Sequence, residues 1–392
     1  MRFSLLTCLL VTLPSIFVSC SEKSKEGPAK TSLSTQPIPL WGDFPNARPS
    51  CVKGIHLTAY YVGSLKGRAK FEKLLAETEL NTVVIDIKEI EGDIFIPGVK
   101  LDGKISVYKP AMPKIEEYLK FLKERGVYAI ARMTVFKDAK LVKEKPDWAV
   151  KSAVPLEKAK EKGLRSDVWL DRNGHGWADP YNRKVWEYNL EIAEQAARLG
   201  FQGIQFDYFR FPSDGPTRLC RYSVHHSSSS AVKALAGFLD LVQTRLKPLN
   251  IETSIDTFGI VASNNDDQGI GQYLPPLLKH VDVLSPMMYP SHYARGEFGI
   301  KKPNASPYET IHRSMQDTLK FIRGTNVELR PYLQDFSLGV KYNPAMVRAE
   351  IEAVMDNGVG EWILWNAACH YTKDALLPDP AVSSESKSET SH

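Results

Sequence analysis

From Lys53 to Trp365 the sequence alternates, eight times over, between a short run of β-branched and aromatic residues and a longer stretch with helical spacing. Successive strands joined through a helix run parallel, and a parallel sheet needs helices over its exposed faces. The pattern therefore predicts an α/β protein, and the number of repeats predicts closure into a (β/α)8 TIM barrel. An open, doubly wound sheet is the competing arrangement. It is disfavoured because Tyr61-Val-Gly-Ser-Leu-Lys-Gly67, after the first strand, lacks the glycine spacing of a dinucleotide turn, and no Walker-type loop occurs elsewhere.

The predicted strands are 53–61, 81–88, 127–133, 201–212, 251–258, 281–289, 327–333 and 359–365. Helices are predicted over 67–79, 111–125, 231–246, 273–279, 307–322 and 344–357, with one more starting at Asp179-Pro180 and ending at Gly200. A long insertion follows the third strand and runs to Pro180. It is too long for a plain connection and is expected to fold over a site. His225-His-Ser-Ser-Ser-Ser230 reads as a solvated loop, because no third metal ligand stands at a plausible spacing.

The ends of the chain have a different character. Residues 1–19 carry a positive start, an apolar run and small residues before Cys20, the form of a secretory signal. Ile-Phe-Val-Ser-Cys20 resembles the bacterial lipoprotein signal, which implies a lipid anchor on Cys20 and an exported, membrane-anchored protein. Residues 20–50 read as a flexible tether and 377–392 as a disordered tail, leaving 51–376 for the barrel. In that span Cys51, Cys220 and Cys369 are an odd set without metal-ligand spacing, so neither a disulfide framework nor a zinc site is expected. A net charge of +4 spread over 392 residues, with no basic face, argues against a nucleic-acid partner.

The stretch Phe201-Gln-Gly-Ile-Gln-Phe-Asp-Tyr-Phe-Arg-Phe-Pro212 delivers an acid, Asp207, to the end of a strand buried on both faces. A carboxylate there is costly unless it has partners or a task. Barrel active sites gather at the carboxyl ends of the strands, so the residues at those ends are the candidates. They include Tyr60 and Tyr61, then Asp86, Lys88 and Glu89, then Arg132, and then Asp207 and Arg210. The later strands add Asp256, Tyr289 with His292, Gln334 with Asp335, and Trp365 with Asn366. Carboxylates, guanidinium groups and aromatic rings on one rim suit a glycan, whose hydroxyls need polar partners and whose C–H faces stack on rings. Glycoside hydrolysis needs two acids, one protonated and one ionised. Asp207 as nucleophile and Asp256 as acid/base are the first pair to name. Asp86, Arg132, Arg210, Tyr289, His292, Gln334, Asp335, Trp365 and Asn366 are candidates for binding substrate, and no cofactor or metal is called for.

Seven segments in order strengthen this reading. They are Gly54-Ile-His-Leu-Thr58, Val84-Ile-Asp-Ile-Lys88, Trp177-Ala-Asp-Pro-Tyr-Asn182, Gly203 to Pro212, Ser285-Pro-Met-Met-Tyr-Pro-Ser-His-Tyr293, Arg330-Pro-Tyr-Leu-Gln-Asp-Phe336 and Trp362-Ile-Leu-Trp-Asn366. Together they resemble a bacterial family of glycosyl hydrolase domains, placed among (β/α)8 glycosidase-like barrels distantly similar to alpha-amylases. The resemblance implies a barrel that acts on a glycan, with a nucleophilic Asp after strand four at Asp207. It also implies a Glu acid/base after strand five, where this chain departs with Asp256 and admits Asp86 or Asp335 as partner instead. The alternative expectation is a glycan-binding lipoprotein that keeps the cleft without turnover.

Overall fold

The structure, a computed structural model, describes residues 48–99 and 107–378. The expected signal, Cys20, nearly all of the tether and nearly all of the tail lie outside the described residues.

Parallel strands close into a barrel in chain order: β1 Lys53–Leu57, β2 Thr82–Lys88, β3 Tyr128–Thr134, β4 Gly203–Asp207, β5 Glu252–Phe258, β6 Val283–Met287, β7 in two pieces, Glu328–Leu329 and Tyr332–Gln334, and β8 Trp362–Trp365. Closure comes from β8 against β1, with Trp362 opposite Lys53. The β6–β7 seam is paired at Val283 with Glu328 and again at Met287 with Tyr332. Pro331 has no N–H to give a ladder, so β7 breaks there. Its carbonyl still accepts from Ile363 N at 3.0 Å, which keeps the break within the wall.

Every residue of β2 and β3 is buried. Alternate side chains go to two different apolar clusters, as strand geometry requires. Val83, Ile85, Ile87, Ala129, Ala131 and Met133 pack outward under the helices. Val84, Tyr128, Ile130, Tyr332 and Ile363 fill the barrel interior. This double burial is why the strands read as continuous apolar runs. Below the interior layer, Arg330 pairs with Glu252 (2.7 Å) and Glu361 (3.0 Å), and Arg48 joins the same two acids, closing the amino-terminal end with charge.

The helices wrap the outside by their apolar stripes. In Ile115–Glu124, Ile115, Tyr118, Leu119 and Leu122 are buried at helical spacing, and Gly126 takes the positive φ after its end. Several boundaries differ from the sequence reading, each for a local reason. Tyr60 and Tyr61 do not extend β1, because Thr58 caps a helical turn, Ala59–Gly63. The helix expected from Asp179 begins instead at Arg183 under an Asn182 cap, while Asp179 accepts from Tyr181 N and Ser223 N. Of the stretch read as a solvated loop, His225 and His226 are exposed and lie outside any helix, whereas Ser227 and Ser230 form a reciprocal cap that starts the helix Ser228–Leu246. Cys220 and Cys369 are free thiols.

The insertion after β3 packs against the segment that follows β4. Its Lys151–Ser152 pair forms a short antiparallel ladder with Cys220–Arg221, and Trp169 Nε1 donates to Pro216 O at 3.0 Å. Thus it is stapled to the loop beyond β4. Among the described residues, no helix is long and apolar enough to cross a membrane.

Candidate active site

The inward-facing positions of the barrel change character two residues above the apolar layer. Val84 is followed on that face by Asp86, Ile130 by Arg132, and Ile363 by Trp365. The same parity brings Gln205 and Asp207 inward from β4. Asp256 stands on β5 opposite Ser285 of β6. A polar layer therefore sits on an apolar floor at the carboxyl end of the strands, the end where barrel enzymes place their chemistry.

Arg132 organises this layer. Its two terminal nitrogens bind Asp86 Oδ1 and Asp207 Oδ2, and its Nε lies 3.9 Å from Asp256 Oδ2. His56 on β1 stands behind Asp86, with Nε2 2.9 Å from Oδ2, and its ring stacks on Trp365 at 4.0 Å between centroids. Asp207 is further held by Tyr208 N, which donates to Oδ1 at 2.5 Å. Tyr208 takes a positive φ of 48°, so the chain turns out of the strand at that residue. The sequence reading carried the strand alternation on through Phe209; instead the turn ends it, and Tyr208 comes round to line the site.

Three carboxyl groups crowd one guanidinium, and they cannot all be ionised cheaply. Burial pushes the His56 imidazole below its usual range, although Asp86 opposes that shift. Asp256 carries the consequence. It is 2% exposed, and its Oδ1 has no hydrogen-bond partner among the described residues. Burial first, and then the Asp207 charge, push its carboxyl well above the ordinary range. Asp86 goes the other way: His56 and Arg132 hold it below the usual value despite burial. One acid in the cluster is therefore biased toward its protonated form while its neighbours are paired.

A cavity of about 520 Å³ opens above this cluster, within the size range of small-ligand sites. Arg132, Asp207 and Asp256 form its base; Tyr208, Arg210, Phe258, Tyr289, Tyr332 and Trp365 line its walls. Glu297 and exposed His292 come from the loop beyond β6. Of the residues expected at the site, Arg132, Asp207, Arg210, Asp256, Tyr289, His292 and Trp365 meet at this cavity. Asp86 reaches it only through Arg132.

The others do not line the cavity. Asp335 accepts from Thr372 N and Thr372 Oγ1, both at 2.7 Å, pinning the segment after β8. Gln334 takes Ser291 N on its side-chain oxygen at 3.1 Å and donates to Phe336 O at 2.9 Å. Asn366 donates to Asp335 O and receives Ala368 N. Lys88 faces outward because the register shifts between Asp86 and Lys88, and its ammonium is buried against Asp138 (2.8 Å) and Asn189 (3.0 Å). Sequence reasoning gave no role to His56, Tyr332 or Glu297. Counting by two from Gly54 marks His56 as inward, and Tyr332 is inward by the same rule from Gln334; nothing in the sequence aims Glu297 at the cavity. Among the described residues no group of three or more His, Cys, Asp or Glu side chains could hold a metal ion.

Comparisons with known proteins agree with this architecture. Residues 54–371 match the model of the family described as "Putative glycosyl hydrolase domain". Among solved structures, the PgaB (BpsB) glycoside hydrolase domain from Bordetella bronchiseptica is similar at 12% identity, a TM-score of 0.57, and coverage of 83% of this chain and 99% of that one. At that identity the likeness speaks for the fold. A hypothetical protein from Ruminiclostridium thermocellum is 30% identical over 52% of this chain and 97% of its own, with a TM-score of 0.42. No curated protein matches the chain in sequence. The barrel, the carboxylate cluster at its carboxyl rim and the match across residues 54–371 lead to one assignment: this chain belongs to that family of glycosyl hydrolase domains.

Proposed function

We propose that this protein hydrolyses glycosidic bonds of a polysaccharide or oligosaccharide, with Asp207 as the reacting carboxylate and Asp256 as the proton donor. The observation that carries the proposal is the unequal treatment of the two acids at the cavity base. Asp207 is ion-paired to Arg132, whereas Asp256 is buried with no partner for Oδ1 among the described residues, and burial and the Asp207 charge push its carboxyl well above the ordinary range. Glycoside hydrolysis requires that division, one acid to protonate the departing oxygen and one carboxylate to act at the anomeric carbon or on water. The aromatic wall supports the same reading, since Trp365, Tyr289 and Phe258 offer ring faces to sugar C–H surfaces. Arg132 positions Asp207, and His56 with Asp86 fixes Arg132 from behind.

A glycan-panel hydrolysis assay comparing the mature protein with Asp207→Asn tests the proposal. Turnover of one glycan by the native chain and its loss in the variant are expected. Equal turnover in both removes Asp207 from the chemistry; retention of glycan without turnover in either favours a binding module. Export and acylation at Cys20 belong to the same proposal, and are tested by membrane fractionation of the full chain beside Cys20→Ala.

A further inference from the structure

The two arginines of the cavity are in opposite situations. Arg132 faces three carboxyl groups. Arg210 is 9% exposed and forms no ion pair among the described residues. Its Nη1 donates to Phe211 O at 3.1 Å and to Ser213 Oγ at 2.9 Å. The guanidinium is caged by the rings of Phe258, Trp177 and Tyr208, at 4.8, 5.0 and 5.3 Å.

Two of the three acids near Arg210 are already committed. Asp207 belongs to Arg132. Asp171 is 2.7 Å from Lys137 Nζ and accepts from Trp177 Nε1 and His175 N. Asp214 stands beyond ion-pair distance. Three aromatic faces offset part of the cost of burying a cation, but they do not use its N–H groups. Nε and Nη2 make no hydrogen bond among the described residues, and neither is a sealed, unsatisfied atom. They form the edge of the guanidinium that grips a planar carboxylate through two parallel bonds.

We infer that Arg210 is the subsite for a carboxylate on the substrate, so that the glycan carries a uronic acid, or a sugar bearing an equivalent acidic substituent, at the position bound against Phe258 and Tyr208. The inference deepens the glycoside hydrolase reading and rests on it for the substrate class. The anionic group completes a charge that the protein leaves open, and it does so on the wall formed by the segment beyond β4. A neutral sugar supplies hydroxyls there but no compensating charge.

The test uses uronic-acid oligosaccharides, each paired with its carboxyl-reduced neutral twin, and measures binding by calorimetry to the mature chain, to Asp207→Asn and to Arg210→Met. Methionine fills the aromatic cage without charge. The native chain and Asp207→Asn are expected to bind at least one acidic member about tenfold or more tightly than its neutral twin. Arg210→Met is expected to bring that ratio to about one. Equal binding of every pair by the native chain overturns the inference, as does a preference that survives in Arg210→Met. The native-chain comparison stands even where the variant does not fold. Preferential binding without turnover in any protein leaves the carboxylate subsite in place and defeats only the hydrolase reading.

Discussion

Arg132 Nε stops 3.9 Å from Asp256 Oδ2, while the terminal nitrogens of the same guanidinium bind Asp86 and Asp207. Asp256 is thus left with neither a full ion pair nor a partner for Oδ1. A site that keeps a buried acid unsatisfied gives up stability for chemistry. Replacing Asp256 by Asn removes the ionisable group and leaves its shape. We expect hydrolysis to fall by about 10²-fold or more, the usual contribution of a positioned acid, while unfolding free energy rises by roughly 1–2 kcal/mol through relief of the buried group. Denaturant unfolding and kcat are the two readouts. A less stable variant with normal kcat assigns Asp256 to structure alone.

The same group sets the direction of the pH response. Its folded pKa is raised above the ordinary 3.8, so the folded chain holds a proton that the unfolded chain releases. Stability from this group is therefore complete below the unfolded value and is lost as pH rises through the folded one. Under the proposed roles the proton donor is lost only as pH passes the folded value, where the stability change ends. Thermal stability is therefore expected to decline first, between the unfolded and folded values, and kcat/KM to decline above them, and the stability decline is expected to shrink in Asp256→Asn. Melting curves of the two proteins across pH check this.

Arg132 is predicted to matter for both fold and turnover. Arg132→Met leaves three carboxyl groups without their shared cation, and breaking a buried charge network of this kind costs about 3–5 kcal/mol. Arg132→Lys keeps a charge but not the fork that holds two carboxylates apart. Its stability is expected to fall less than that of the Met variant, with kcat reduced and KM little changed, because Asp207 is no longer fixed. A Lys variant with native kcat contradicts the positioning role.

Much of this arrangement is legible in the sequence because double burial writes itself as continuous apolar runs, as in Thr82–Lys88 and Tyr128–Thr134. A charged residue interrupting such a run near its end, Asp86, Arg132, Asp207 or Asp256, is conspicuous. Direction is harder to read. Asp335 and Asn366 stand at strand ends as plainly as Asp207, yet they serve the segment after β8, since nothing local says toward which neighbour a side chain at a strand end turns. Parity fails where a bulge intervenes, as between Asp86 and Lys88, or where a residue takes a left-handed turn, as Tyr208 does. His56 escaped notice because a single imidazole among apolar residues reads as core; its place beside Asp86 depends on the pairing of β1 with β2.

Asp335 provides the contrast that tests this distinction between acids. Burial pushes its carboxyl up, but both oxygens are occupied by Thr372, and it is absent from the cavity lining. Thr372→Val removes the hydroxyl bond and keeps the backbone one, so stability is expected to fall by about 1 kcal/mol. Asp335→Ala loses both and leaves Thr372 N without its acceptor, for roughly 1–3 kcal/mol. In each variant kcat/KM is expected to stay within about threefold of native at a temperature where the protein is folded, because the segment they loosen stands outside the cavity. A collapse of kcat in Asp335→Ala at unchanged melting temperature puts this acid into the reaction and makes Asp207 and Asp256 an incomplete pair.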